Sequence, residues 1–192
     1  CAEIIINSYI KSFFKNKKNI VVSARAGNVI GGGDYSKNRI IPDYIFCSQR
    51  RLKLNLRQPQ AIRPWQHVIE PLIGYLFLIA KITKNKKSDK NYSWNFGPGN
   101  INNQPVIKVI NLLNKYSDYF VKVSSKKNSR SYHESNILKL NSNKAKKLLG
   151  WKGHLNLDRS IFLVVEWYRL LKKTKNAYSV CKNQILDYFK IL

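Results

Sequence analysis

Methionine and acidic residues are the most conspicuous absences in this sequence. Its 192 residues include no methionine, and only 10 Asp and Glu accompany 35 Lys and Arg, which gives a formal net charge of +25. Because a translated chain starts with Met, and no internal Met offers a second start, we expect the upstream part of a longer chain to be missing here. The charge by itself would be typical of a nucleic-acid or anionic-membrane partner. The lysines are scattered among Asn and Ile, however, without an arginine-rich arm or a basic stripe interleaved with aromatic residues, which favours compositional drift.

Cysteine and histidine are also scarce, with three of each. The odd number of distant cysteines, without Cys-x-x-Cys, argues against a disulfide framework and a zinc site and is typical of a reducing compartment. The histidines lack metal-ligand spacing, so we predict no metal. The start lacks the pattern of a signal peptide, and the longest apolar stretch, 72–80, is too short to span a bilayer. We therefore predict a cytoplasmic chain without a membrane association.

Helical patterns and short apolar strands alternate along the chain. Helices are predicted over residues 1–14, 40–49, 71–84, 105–116, 143–149 and 157–172. Strands are predicted at 20–24 and 92–96, with shorter extended pieces at 52–56, 66–69 and 119–123. This alternation indicates an α/β or α+β fold. Only the first two strands look fully buried, and two strands cannot make a covered parallel sheet, so we expect further strands upstream.

Two segments suggest a ligand site. The run 27–34 (GNVIGGGD) does not have the Gly-x-Gly-x-x-Gly spacing of a dinucleotide loop, so it is either a flexible turn or a backbone that passes close to a ligand. The run 61–68 (AIRPWQHV) contains Arg63, six residues after Arg57. Arginine guanidinium groups pair with phosphate oxygens in a bidentate way, so a diphosphate ligand would explain both. The alternative is a surface arginine packed on Trp65.

Two pairs of polar residues are weaker candidates. His133 and Glu134 form a small polar cluster close to Arg130, and an exposed loop is the better interpretation of it. Asp158 and Glu166 lie eight residues apart on one predicted helix. We interpret them as a helix-start residue and a solvated side chain rather than as a catalytic carboxylate pair.

Seven runs of the chain together resemble the CDP-glucose 4,6-dehydratases, which are extended short-chain dehydrogenases/reductases. In chain order they are RAGNVIGGGD (25–34), RIIPD (39–43), AIRPWQHV (61–68), EPL (70–72), WNFGP (94–98), HE (133–134) and LLGW (148–151). Other sugar-nucleotide epimerases and dehydratases share only the outline of this pattern, whereas GNVIGGGD and RPWQHV are more specific to the CDP-glucose enzymes. The resemblance covers nearly the whole chain.

The fold that the resemblance implies is α/β, the carboxyl-terminal part of an extended short-chain dehydrogenase/reductase. Residues 1–30 and 66–98 are expected to supply the last strands of a Rossmann sheet and their neighbours. Residues 31–65 and 99–172 are expected to form a small α/β substrate-binding lobe, and 173–192 a carboxyl-terminal tail.

The resemblance also implies an activity and binding residues. The family converts CDP-glucose to CDP-4-keto-6-deoxyglucose and water, and recycles NAD in each turnover. By position, Asn28 is expected to bind the substrate near the diphosphate and sugar, and Arg63 to clamp the diphosphate. Arg39 is expected to contact the nucleotide, and Arg57 to help hold the CDP part.

Other positions follow from the same resemblance with less detail. Ala26 and Gly27 are expected to offer backbone groups near the nicotinamide of NAD. His133 and Glu134 match the family and are included among the substrate-binding candidates, without an assigned role.

The catalytic residues of the family are expected upstream of Cys1. In relatives, Cys-Ala-Glu closely follows the Tyr-x-x-x-Lys pair, so that pair, the Thr-Asp-Lys-type acid/base set and the glycine-rich NAD motif would all precede this chain. We therefore expect no turnover by the chain alone, an amino-terminal half acting in trans, and a homo-oligomer at full length. The alternatives are a dTDP-glucose or GDP-mannose type of dehydratase or epimerase, and a basic nucleic-acid-binding module.

Overall fold

The structure, a computed structural model, describes residues 1–14, 20–84, 93–125 and 135–191. The helices are α1 (Ala2–Tyr9), α2 (Ile40–Arg50), α3 (Ile69–Lys84), α4 (Val106–Tyr116), α5 (Asn143–Leu149), α6 (Leu157–Thr174) and α7 (Ala177–Phe189). The strands are β1 (Ser23–Ala26), β2 (Asn28–Ile30), β3 (Leu54–Asn55), β4 (Ile62–His67), β5 (Ser93–Phe96), β6 (Asn103–Pro105) and β7 (Val123–Ser124). No helix within these described ranges is long and apolar enough to cross a membrane.

The strands form three small sheets in which parallel pairing predominates. β1 pairs with β5, β2 with β4, and β3 with β7, each in the parallel direction. β6 is antiparallel to β4 on the side away from β2. Parallel pairs need long crossover connections, and helices lie within each of these connections. The architecture is therefore mixed α/β, as the alternation of helices and strands predicted.

Gly27 is the residue at which the chain passes from one sheet to the next. It separates β1, which pairs with β5, from β2, which pairs with β4. A Cβ atom built on Gly27 would lie 2.6 Å from the carbonyl oxygen of Pro64 in β4. Only glycine lets the two backbones approach this closely, so the crossing depends on that residue.

Two clusters of buried apolar side chains form the core. The first joins α2, α4 and α6, and it includes Val109, Leu113, Ile161 and Val164, which have no solvent exposure. The second is aromatic, with Phe96 in edge-to-face contact with Trp151 at a centroid distance of 5.1 Å. Complete burial of one apolar side chain of this size contributes roughly 1.5–3 kcal/mol to the stability of the fold. The apolar residues whose spacing predicted helices at 105–116 and 157–172 are the residues that α4 and α6 contribute to this core.

Glu70 joins three separate parts of the second cluster. It is buried near the start of α3, and its Oε1 accepts hydrogen bonds from the backbone N–H groups of His154 (2.8 Å) and Leu155 (2.6 Å). Its Oε2 accepts one from the hydroxyl of Tyr188 in α7 (3.0 Å). Its carbonyl oxygen accepts one from the indole of Trp151 (3.2 Å). The three donors to its carboxyl oxygens offset the free-energy cost of burying that group.

Several predicted elements differ from the structure: the extended pieces predicted at 66–69 and 119–123 are the strands Ile62–His67 and Val123–Ser124. The strand predicted at 20–24 is Ser23–Ala26, and it is not fully buried, because Ala24 and Arg25 are exposed. The helix predicted over 1–14 is α-helical only to Tyr9 and continues as a π-helix to Phe14. A hydrogen bond from Ser23 to Glu3 (2.9 Å) attaches this helix to β1.

The last segment, 173–192, was predicted only as a tail, and the structure forms α7 from most of it. Asn176 caps this helix by accepting from the backbone N–H of Ser179 (3.0 Å). Val180 and Tyr188 are buried against the rest of the chain. The division of the chain into a Rossmann side and a substrate lobe stays a prediction.

Candidate functional site

A cavity of about 540 Å³ lies beside β2 and β4, at the amino end of α2 and the loop that follows β3. Its volume is in the range of small-molecule sites. Five of the residues singled out from the sequence line it: Gly27, Asn28, Arg39, Arg57 and Arg63. They are up to 36 positions apart in the sequence. The pairing of β2 with β4 brings Asn28 close to Arg63, and the start of α2 and the loop after β3 add Arg39 and Arg57.

Arg63 is the buried guanidinium of this cavity. It lies on β4 with 7% of its surface exposed, and its Nη1 donates to the carbonyl of Ile62 (2.9 Å). Trp65 lies two residues further along the strand and lines the same cavity, and its indole donates to the carbonyl of Gln104 (2.8 Å). The alternative that Arg63 is a surface arginine packed on Trp65 is therefore wrong.

Asn28 reaches the cavity from the neighbouring strand. It is the first residue of β2 and is in register with Trp65 of β4. Its side chain is half-buried on the cavity wall. A carboxamide can donate and accept at once, so Asn28 can bind the hydroxyl or phosphoryl oxygens of a ligand that contacts Arg63.

Arg39 enters the cavity just before α2 and forms an ion pair. Its Nη1 lies 3.1 Å from Oδ2 of Asp34, and its side chain is 67% exposed. Burial acts to raise the pKa of Asp34, but hydrogen bonds from Ser36 and the Arg39 guanidinium outweigh it and hold this pKa below its usual range. Asp34 is therefore a carboxylate at neutral pH and is the ion-pair partner of Arg39.

The glycine run 31–33 is explained by the side chains that it passes. A Cβ atom on Gly32 would lie 2.1 Å from Cγ of Trp167, and one on Gly31 would lie 2.9 Å from Cγ1 of Val68. Gly33 has φ +81°, the left-handed conformation that favours glycine. The hydroxyl of Tyr168 donates to the carbonyl of Asp34 (2.7 Å) and attaches the end of the run to α6. The run is therefore packed closely against Val68 and Trp167. Gly31 also lines the cavity.

Arg57 lies on a loop that is held at several points. The N–H of Leu56 donates to the carbonyl of Ser124 (2.8 Å), and the N–H of Ile107 donates to that of Pro59 (2.9 Å). Arg57 itself is exposed, so its guanidinium is available at the edge of the cavity. Three arginines and two aspartates, Asp34 and Asp43, line the cavity, so its charge favours an anionic ligand.

Other residues singled out from the sequence lie elsewhere. Ala26 ends β1, opposite Phe96 of β5, and is not among the residues that line the cavity. His133 and Glu134 lie outside the described residues. Asp158 lies in the first turn of α6, as the sequence predicted, although Asn156 is the residue that caps the helix. Asp158 also forms an ion pair with Lys115 (2.9 Å).

His67 lies at the end of β4 and is buried, with 4% exposure. Burial lowers its pKa to about 4, so the imidazole is neutral at neutral pH. Its Nδ1 accepts from the backbone N–H of Ile69 (3.4 Å). His67 is therefore a buried structural side chain and not an additional cation for an anionic ligand.

The spacing Tyr-x-x-x-Lys, expected only upstream of Cys1, does occur in the chain at Tyr168–Lys172 and Tyr178–Lys182. Burial raises the pKa of Tyr168 to about 12, and its hydroxyl is engaged with Asp34. This is the opposite of a tyrosine activated as a base. Tyr178 is 75% exposed on α7. Neither pair has the environment of a catalytic tyrosine.

Asp34 and Gln58 line the cavity and were not among the predicted binding residues. Asp34 belongs to the run GNVIGGGD, so the motif contained a signal for it. Gln58 lies outside every recognised run, and only its position in the folded chain identifies it.

Comparisons with known proteins agree with this architecture. No family model matches the chain. CDP-glucose 4,6-dehydratase of Salmonella typhimurium is 33% identical over 98% of this chain and 53% of that protein. The structure of UDP-glucuronic acid 4-epimerase from Bacillus cereus, in complex with UDP-glucuronic acid and NAD, aligns with a TM-score of 0.70 and 16% identity. It covers 88% of this chain and 50% of the epimerase chain.

A second solved structure is dTDP-glucose 4,6-dehydratase from Bacillus anthracis in complex with NAD. It aligns with a TM-score of 0.66 and 18% identity, over 93% of this chain and 51% of that chain. At such identities the likeness shows the fold alone. The chain spans about half the length of the relatives that it matches.

The fold is that of the carboxyl-terminal part of the extended short-chain dehydrogenases/reductases that act as nucleotide-sugar epimerases and dehydratases. Within that class, the sequence is similar to CDP-glucose 4,6-dehydratase along nearly all of this chain. Both the fold and the resemblance that the motifs predicted are thereby confirmed.

Proposed function

We propose that the cavity binds a sugar linked to cytidine diphosphate, and that the chain supplies the substrate-binding part of a CDP-glucose 4,6-dehydratase. The complete enzyme converts CDP-glucose to CDP-4-keto-6-deoxyglucose and water. One observation carries the proposal: Arg39, Arg57 and Arg63 line a single cavity beside Asn28. The similarity to the Salmonella typhimurium enzyme supports cytidine as the nucleoside.

The three arginines differ in how they are held, and this suits a diphosphate. Arg63 is buried on a strand, where a partly desolvated guanidinium attracts an anion more strongly than it does in water. Arg57 is exposed on a fixed loop and can approach a second phosphoryl group from the edge of the cavity. Arg39 is exposed and forms an ion pair with Asp34 that a ligand phosphate can replace. Guanidinium groups make paired hydrogen bonds to phosphoryl oxygens, so a diphosphate can use all three.

NAD is the cofactor that the proposal assigns to the complete enzyme, where it would supply the chemistry of a hydride acceptor and donor. The residues described for this chain do not by themselves fit a dinucleotide site. The glycines of the run are explained by their packing against Trp167, and Gly27 is explained by its close approach to Pro64. These glycines therefore do not indicate a dinucleotide-binding loop. Backbone contacts from Ala26 and Gly27 to the nicotinamide are part of the proposal. We also propose that an amino-terminal half supplies the acid/base residues, that the complete enzyme is a homo-oligomer, and that it is cytoplasmic.

Calorimetric titration of the 192-residue chain with CDP, dTDP and GDP tests this proposal. We expect CDP to bind best, and Arg57→Gln to weaken CDP binding at least about tenfold, because a charged hydrogen bond to phosphate contributes about 1.5–3 kcal/mol. Arg159→Gln is the matched control, since Arg159 is exposed on α6 and its guanidinium lies over Phe162. Equal CDP binding by the Arg57 variant, or preference for dTDP or GDP, would contradict the proposal.

A further inference from the structure

A separate cavity of about 520 Å³ lies at the carboxyl end of α2, where residues 51–53 meet the segment 119–122. We call it the basic cavity. The cavity that contains Arg63 lies at the amino end of the same helix, and the two have no lining residue in common. The volume of the basic cavity is also in the range of small-molecule sites.

The charged residues that line the basic cavity are all cations. They are Arg51, Lys53 and Lys122. The carboxylate nearest to them in the sequence of the 119–122 segment, Asp118, forms an ion pair with Arg169 instead (3.1 Å). A cavity with three cations and no acidic lining residue favours an anionic ligand.

The two lysines are neighbours across a pair of strands. Leu54 of β3 is in register with Val123 of β7 in the parallel direction. Lys53 and Lys122 come directly before these two residues, and the N–H of Leu54 donates to the carbonyl of Lys122 (2.9 Å). In the part of the chain that the structure describes, neither ammonium group forms an ion pair. Like charges at facing positions destabilise a pair of strands, and an anion bound between them would remove that repulsion.

Arg51 is held at the edge of the basic cavity by an aromatic ring. Its Nη2 donates to the hydroxyl of Tyr119 (3.2 Å), and its guanidinium carbon lies 5.0 Å from the centre of that ring. The hydrogen bond from Arg51, together with its charge, lowers the pKa of Tyr119, which reflects the positive potential here. Arg51 follows α2 in the left-handed conformation (φ 55°), and its N–H and that of Leu52 donate to the last carbonyls of the helix. The negative end of the helix dipole is therefore capped where it meets the cavity.

Apart from Ser48, the other lining residues are apolar or aromatic. Cys47 and Val121 are buried, with 8% and 2% of their surface exposed, whereas Phe120 is 75% exposed. The carboxamide of Asn114 fixes this segment, because it accepts from the N–H of Val121 (2.8 Å) and donates to the carbonyl of Val121 (3.2 Å). An exposed aromatic side chain on a fixed segment is a surface on which a planar ring can stack.

We propose that the basic cavity binds a planar aromatic ring that carries a phosphate group, with the phosphate between Lys53 and Lys122 and the ring on Phe120. Such a ligand makes use of both the cations and the apolar lining. A free phosphate would leave the apolar lining uncovered, and a neutral ring would leave the repulsion between the lysines in place. Arg51 supplies a third positive charge at the edge of the site.

Three substitutions each remove one part of the proposed site. Lys53→Gln and Lys122→Gln remove the charges, and Phe120→Ala removes the ring. All three side chains are exposed, so the fold should be kept. Lys139→Gln is the matched control for charge, since Lys139 is exposed and does not line the cavity. Tyr178→Ala is the control for the ring, since Tyr178 is also 75% exposed.

The experiment is a nuclear magnetic resonance titration of the isotopically labelled 192-residue chain with AMP, with adenosine and with inorganic phosphate. Salt at about 0.15 M suppresses long-range attraction to the net positive charge. We expect AMP to shift the amide signals of residues 51–53 and 119–122, and to bind at least about tenfold more tightly than adenosine or phosphate.

The variants should weaken AMP binding by different amounts. Lys53→Gln and Lys122→Gln should each weaken it about threefold, as expected for exposed charges. Phe120→Ala should weaken it at least about fivefold through loss of stacking and leave phosphate binding unchanged. Both control variants should bind AMP as the unmodified chain does.

AMP-induced shifts confined to the cavity that contains Arg63, or spread evenly over exposed lysines, would overturn the inference. Equal binding of AMP and phosphate would do so too, because it would show a site for charge alone. A Phe120→Ala variant that binds AMP as tightly as the unmodified chain would exclude the stacked ring. None of these measurements uses CDP, so their outcome does not depend on the proposed function.

Discussion

The hydroxyl of Tyr188 donates a 3.0 Å hydrogen bond to the carboxylate of Glu70, 118 residues earlier in the chain. Both side chains are 2% exposed. The bond connects the last helix to the start of α3, which directly follows the strand that carries Arg63. Burial, followed by the nearby Glu70 carboxylate, raises the pKa of Tyr188, so the hydroxyl remains a donor at neutral pH.

Tyr188→Phe tests the contribution of that bond to stability. Removal of the hydroxyl leaves a buried carboxylate with one donor fewer, and we expect a loss of about 1–3 kcal/mol in the free energy of unfolding. Urea denaturation measures it. Tyr178→Phe is the control, because that tyrosine is 75% exposed, and its effect should stay within about 0.5 kcal/mol. Equal stability of the two variants would contradict the assigned role of the bond.

Stability should fall in mild acid because of His67. Its pKa is lowered from 6.5 to about 4 by burial, so the unfolded chain binds more protons than the folded chain between those values. The contribution is complete above pH 6.5 and is lost as the pH falls toward 4, and it amounts to roughly 3 kcal/mol.

Urea denaturation of the unmodified chain and of His67→Gln at several pH values from 4 to 7.5 measures this contribution. The difference between the two should shrink as the pH falls, since the variant has no imidazole to protonate. His154→Gln, at an exposed position, should follow the unmodified chain. A difference that is constant with pH would show that His67 does not titrate as described.

Gly32→Ala should disturb the segment that carries Asp34 and Arg39. The added Cβ would lie 2.1 Å from Trp167, and overpacking of this kind costs about 1–3 kcal/mol. We expect a lower melting temperature and weaker CDP binding. Gly99→Ala is the control, since its Cβ would meet no atom within 4 Å. A Gly32 variant as stable as the Gly99 variant would contradict the tight packing of the run on α6.

Asp34→Asn tests whether the carboxylate competes with a ligand for Arg39. Loss of an exposed ion pair has a small effect on stability, about 0–1 kcal/mol, but it releases the guanidinium and removes a negative charge from the cavity. We expect CDP to bind about threefold more tightly, with a larger gain at low salt. Asp118→Asn, which removes the partner of Arg169, is the control. Equal or weaker CDP binding by the Asp34 variant would contradict this competition for Arg39.

The 192-residue chain should give no CDP-4-keto-6-deoxyglucose when incubated with CDP-glucose and NAD. Neither Tyr-x-x-x-Lys spacing in the chain has the environment of an activated tyrosine, and the described residues do not fit a dinucleotide site. Nuclear magnetic resonance of the reaction mixture detects the product. Any turnover by this chain would contradict the prediction.

Local signals in the sequence predicted the helices well. The helix at 143–149 is found with those bounds, and Gly150 ends it with φ +68°. The helix predicted at 40–49 is Ile40–Arg50. Apolar spacing and the residues at helix ends act over a few positions, so one sequence is sufficient to place such elements.

The parts that sequence did not predict depend on distant pairing. β2 lies inside the glycine run, and it is a strand because β4 pairs with it. Arg57 and Arg63 were predicted to bind one ligand from their chemistry, and the structure does place them on one cavity. Gln58 could not be found in this way, because only its position in the folded chain places it on the cavity.

The single residue between β1 and β2 has a mechanical consequence. Because only Gly27 separates them, a shift of Asn28 toward a bound molecule must be absorbed by the torsion angles of Gly27 or be transmitted to Ser23–Ala26. The approach of Pro64 leaves Gly27 little room to absorb it. Amide hydrogen exchange in β1 should therefore report occupancy of a cavity that β1 itself does not line.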